Sequence, residues 1–355
     1  MILWDDQFVS DNPKQDKTGP SKGNESNANN PRISSHSATP GISRPSGTEQ
    51  GQEAFTQSRL SRNLRKQREA HKVEPSKRSE RWGRILSVPL KYLSASTTVF
   101  LSLFMAIGYL LTNQRDFVTA SVVLAILIVA NGWNGLVRSP AKYPSAITTL
   151  VVGLFAVVAV RITGDFAWAT IVLGVTVPIA AIAEMMRPLP RENLVRSLSS
   201  SVFAGFVAII GSAWIVLAAS ELWAAVMTGA AVVVTFAVIG NQIGESAKAN
   251  AIWALIFGTV SGLGLGALAI QLGQGSRIVR LAFPTLLGSI PPTVSVLLLA
   301  ALLGLSVGLI IALVDILFGE HSRRVSEAGA FARGAVKFLL VIMPIYVLVR
   351  IGALG

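Results

Sequence analysis

From residue 93 to the C-terminus the chain is a succession of apolar runs, each about long enough to cross a lipid bilayer, separated by short charged loops. A helical span needs about 20 mainly apolar residues. Nine such runs can be read, at 93–112, 117–136, 145–160, 166–186, 198–218, 222–240, 251–271, 294–318 and 338–353. Hydrocarbon offers no partner to an open backbone, so each run must close its own hydrogen bonds, and the alternating pattern of a barrel strand is missing. The expected fold is therefore all-α: a polytopic integral membrane protein with about nine transmembrane helices behind a disordered, basic N-terminal tail.

Composition agrees, since 51% of residues are hydrophobic and only 14% are charged, well below the roughly 25% of soluble domains. The absence of cysteine excludes disulfides, thiolate metal centres and a cysteine nucleophile.

Three segments follow. Residues 1–58 carry 5 basic and 7 acidic side chains and are rich in Ser, Asn, Gly and Pro; they hold too little apolar surface to offset the entropy of ordering and read as disordered. Residues 59–92 form a polybasic segment with 11 basic and 3 acidic side chains directly before the first run. Such a segment holds the N-terminus in the cytoplasm and attracts anionic membrane lipid. Nucleic-acid binding is not expected, because only Trp82 and Tyr92 could offer stacking. Residues 93–355 form the membrane domain. With the N-terminus inside, the cytoplasmic loops carry ten basic residues and the outer connections five, the asymmetry of a multi-pass protein of the cytoplasmic membrane.

Ionisable residues within spans are functional candidates because burying charge in lipid is costly. Asp315 falls in the last turn of the eighth run, and Glu184 closes the fourth, where it is expected to reach water or pair with an arginine. Gly258, Gly262 and Gly266 on one helix, and Gly304 and Gly308 on another, are spaced for close helix approach. Pro178 and Pro344 fall inside spans and are expected kinks.

Arg187 to Phe206, a basic loop leading into the Ser-rich step Ser199-Ser200-Ser201-Val202-Phe203, resembles part of the bacterial phosphatidate cytidylyltransferases (CDP-diacylglycerol synthases). Arg115-Asp116-Phe117-Val118 with Trp133, the turn Gly240-Asn241-Gln242-Ile243-Gly244-Glu245, and Asp315 followed by Ser322-Arg323-Arg324 occur in the order that family shows. The resemblance implies a role in phospholipid biosynthesis, with CTP and phosphatidate converted to CDP-diacylglycerol. It implies Asp315 and Glu245 as catalytic carboxylates, Asp315 as ligand of Mg²⁺, and Arg323, Arg324, Arg333 and Lys248 as holders of lipid phosphate. The chain departs from the family pattern over Glu327–Lys337, which has no histidine and no carboxylate after Glu327. Mg²⁺ wants carboxylate oxygens, so the resemblance implies a weakly active or inactive transferase. The alternative reading is a permease of unknown solute, on the strength of its proline- and glycine-interrupted spans.

Overall fold

A computed structural model describes residues 90–138, 142–187, 193–273, 291–319 and 326–354. Among them every regular element is a helix: α1 (Leu90–Thr112), α2 (Arg115–Val137), α3 (Lys142–Thr163), α4 (Ala167–Met185), α5 (Leu194–Gly211), α6 (Ala213–Leu217), α7 (Glu221–Gly240), α8 (Ala247–Gln271), α9 (Pro292–Gly319) and α10 (Glu327–Leu354). Helices α5 and α6 form one span, Leu194–Leu217, broken at Ser212, whose hydroxyl and backbone N–H both donate to Ile209 O. Nine helices among the described residues are long and apolar enough to span a bilayer, and the chain is a polytopic all-α membrane protein. The expected disordered tail, most of the polybasic segment, Arg323 and Arg324 lie outside the described residues.

Many of the hydroxyl residues within these apolar spans are accommodated by their own helices. Thr97 donates to Leu93 O at 2.8 Å, Thr148 to Pro144 O at 2.8 Å, Thr149 to Ser145 O at 2.7 Å and Ser201 to Ser197 O at 3.0 Å. A hydroxyl bonded one turn back needs no water, so these residues can be buried at membrane depth. The first three helices end where the backbone turns left-handed: Asn113, Arg138 and Gly164 all have positive φ, and their N–H groups return to carbonyls four residues back.

Successive spans run in opposite directions. At one end of the bundle Ser145 at the start of α3 meets Asn134 at the end of α2, and Ser197 at the start of α5 donates to Glu184 at the end of α4. At the other end Arg161 late in α3 pairs with Asp116 early in α2 at 2.9 Å. The last helix closes the bundle by packing on α1, α2, α5 and α9. Its Gly334 lies against Ser94 O of α1, its Gly334 O accepts from Thr98 at 2.9 Å, and its Phe338 stacks on Trp214 with ring centroids 5.5 Å apart.

Helices α8 and α9 pack backbone to backbone. A Cβ at Gly258 would lie 2.5 Å from Gly304 O, and one at Gly308 would lie 2.6 Å from Ala254 O. The two sets of spaced glycines read from the sequence are therefore the two sides of one seam.

Two spans differ most from the sequence expectation. The third is longer, Lys142–Thr163. The ninth begins at Glu327, eleven residues before the apolar run at 338. Arg333 and Lys337, expected in a loop, are thus inside a helix; they lower the local hydropathy, but the helix continues because both cations find a carboxylate.

Candidate functional site

That carboxylate is Asp315, one turn from the end of α9. Arg333 reaches it from α10, with Nε 2.8 Å and Nη2 2.6 Å from Oδ1. Lys337 follows Arg333 by four residues, so it projects from the same face of α10 one turn deeper, and its Nζ lies 2.8 Å from Oδ2. Asn241, the residue that ends α7, donates its side-chain N–H to Oδ2. Three helix ends thus bring four polar side chains to one point.

Lys337 is only 1% exposed, whereas the side chains of Arg333 and Asp315 keep 15% and 14% of their surface. The centre is closed on the bundle side and open on one flank. Two cations share a single carboxylate, so the group carries one formal positive charge. A buried ion pair is tolerated only when its geometry is good and its remaining donors are satisfied. A charge excess at the edge of a membrane bundle favours an anion, and arginine's planar fork suits phosphate oxygens in particular.

The sequence-derived candidates separate. Asp315 and Arg333 are joined directly. Glu245, in the turn after α7, and Lys248, in the first turn of α8, are exposed; among the described residues the polar partners of Asp315 are Arg333, Lys337 and Asn241. Lys337 and Asn241 did not stand out in the sequence as members of this centre. The i, i+4 spacing of Arg333 and Lys337 was the signal for the first. Asn241 carried only its place in the turn Gly240–Glu245 that closes the apolar run.

The arrangement does not suit Mg²⁺. Both oxygens of Asp315 face cations or an amide donor, and no group of three acidic or histidine side chains among the described residues could hold a metal ion. A divalent cation at this point would meet Arg333 and Lys337 at contact range.

A second polar pair lies at the same end of the bundle. Glu184 is 2% exposed, accepts from Ser197, and has Arg187 Nη1 3.8 Å from its Oε2. The expected pairing with an arginine is present, but the carboxylate is buried. Between the two centres stands Trp133, which donates to Ser200 at 3.0 Å and meets Phe318 edge-on, with ring centroids 6.3 Å apart. A cavity of about 470 Å³ lies towards the opposite end, among α7, α8 and α9; Val226, Leu265, Leu299 and Leu303 are typical of its lining, and Thr228 is its one hydroxyl-bearing residue.

Comparison with family models, curated proteins and solved structures finds no match to this chain.

Proposed function

We propose that this polytopic membrane protein binds the phosphate of an anionic phospholipid, of which phosphatidate is the simplest, at the centre formed by Asp315, Arg333 and Lys337. The observation that carries the reading is the pairing of two cations with one carboxylate at the end of the bundle, open on one side. Asp315 holds Arg333 in place, and the guanidinium donates to the phosphate at the open flank. Its place is in phospholipid metabolism of the cytoplasmic membrane, with the N-terminus inside, where a polybasic segment such as 59–92 attracts anionic lipid.

The resemblance to phosphatidate cytidylyltransferases supports the lipid class. Transfer from CTP would in addition require carboxylates free for Mg²⁺. Asp315 is committed to ion pairs, so the proposed role is lipid binding with weak transfer or none.

The test is retention of lipid by the purified full chain. Reconstituted with equal phosphatidate and phosphatidylcholine, it should keep phosphatidate about tenfold better, a difference of ~1.4 kcal/mol, and Arg333→Gln should lose the preference. Equal retention of both lipids would overturn the reading. Incubation with phosphatidate, Mg²⁺ and labelled CTP should give little or no CDP-diacylglycerol; ready turnover would restore the full enzyme.

A further inference from the structure

The cavity among α7, α8 and α9 lies in the half of the bilayer away from the charged centre. Its α9 lining runs from Val296 to Leu303, roughly 18–28 Å from Asp315 along the helix, whereas half a hydrocarbon layer is about 15 Å. Missing side chains make the space. On the α8 wall Gly262 and Gly266 raise none, and on the α7 wall a Cβ at Gly229 would meet only Leu265 Cδ1, at 3.9 Å. The volume, about 470 Å³, is far larger than the voids a packed interior tolerates. Water has no reason to fill it, because a water so placed needs polar partners. The hydroxyl of Thr228, the only one in the lining, already donates to Ala224 O at 3.1 Å and Ala225 O at 3.0 Å. The exposed lining residues Leu110, Leu268 and Leu272 form an apolar mouth.

We propose that this cavity binds one hydrocarbon chain of a membrane lipid, which enters between α7 and the α8–α9 pair from the leaflet opposite the Asp315 centre. The site is separate from the phosphate centre and does not depend on it. An open apolar cleft at this depth borders lipid tails, which are as apolar as its leucines. A chain that enters therefore gives up no hydrophobic contact and gains walls on several sides, so its preference comes from packing. A headgroup would find no polar partner inside and stays at the mouth; the site selects the chain and ignores the head. A helix from a second copy is a poorer fit. With side chains it is about 10 Å across, so the cleft would admit about one turn of it.

Phosphatidylcholine with a diazirine on one acyl chain is the probe, because its head carries no net charge. The purified full chain is irradiated in nanodiscs containing this lipid, and the labelled residues are mapped by mass spectrometry. Ile171 and Val175 of α4 are exposed at a matching distance from the start of their span and report ordinary contact with the bilayer. The cavity lining on α7 and α8 should be labelled about fivefold more, a modest factor because single packing contacts are weak. Gly229→Phe fills the space and should remove the excess. If that variant does not fold, Ala225→Trp, at an exposed position of the lining, serves the same purpose. Arg333→Gln should leave the excess intact. Even labelling of α4 and the lining would overturn the proposal, as would an excess that survives both filling variants. Loss of the excess in Arg333→Gln would overturn the separate site and assign both ends to one lipid. Disulfide-linked pairs of Leu268→Cys with an unlabelled lining would give the cleft to a second copy and overturn the lipid.

Discussion

Lys337 and Asp315 are 22 residues apart in sequence, yet the ammonium rests 2.8 Å from the carboxylate with almost no water on the lysine. The relationship is asymmetric, since Asp315 also serves Arg333. Removing the acid leaves two cations facing each other, whereas removing the lysine leaves a balanced pair. Asp315→Asn should therefore cost about 3–5 kcal/mol and Lys337→Met clearly less. The double variant should be more stable than Asp315→Asn alone. Thermal unfolding of the purified variants in one detergent gives the order, and a costlier Lys337→Met would refute the account.

The seam between α8 and α9 gives a sharper contrast on one helix. A Cβ at Gly262 would fall on Ala300 O, whereas one at Gly264 meets nothing within 4 Å. Gly262→Leu should destabilise by about 1–3 kcal/mol through overpacking, while Gly264→Leu should be neutral or mildly stabilising. Equal effects in a protease-resistance assay would mean the seam is not the contact that holds the pair.

The Glu184 carboxylate depends on Ser197 for its hydrogen bond. Ser197→Ala leaves a buried acid short of a donor and should cost about 1–3 kcal/mol. Ser199, whose hydroxyl returns to Arg196 O on the exposed side, should tolerate alanine. The two melting temperatures, compared under one condition, test this.

Orientation can be read directly, because the chain has no cysteine and any introduced thiol is the sole one. Glu245 and Asp165 are both exposed, at opposite ends of the bundle. With the N-terminus inside, an impermeant maleimide should label Asp165→Cys in intact cells and reach Glu245→Cys only after permeabilisation. The reverse pattern would invert the topology.

Much of the fold was legible because bilayer physics needs only length and hydropathy. All nine runs appear as helices, and the glycine spacing identified the seam. The start of α10 was hidden for the same reason: Arg333 and Lys337 depress hydropathy, and nothing local announces that Asp315, 18 and 22 residues earlier, neutralises them. The site was half legible. Asp315 and Arg333 stood out as a rare intramembrane acid and a nearby arginine. Asn241 and Lys337 join them through the packing of α7 and α10 on α9, a long-range fact that no spacing along one segment encodes.

Helix α9 has 28 residues, roughly 42 Å at the usual rise per residue, against a hydrocarbon layer about 30 Å thick. Near upright, it overshoots by about two turns. If its first residues start at one interface, the surplus falls on the turns that carry Asp315, four residues from the end. The charged centre then stands among the headgroups, and bilayer thickness becomes a control on it. A thicker membrane would draw the acid and its two cations into hydrocarbon, and a thinner one would lift them into water.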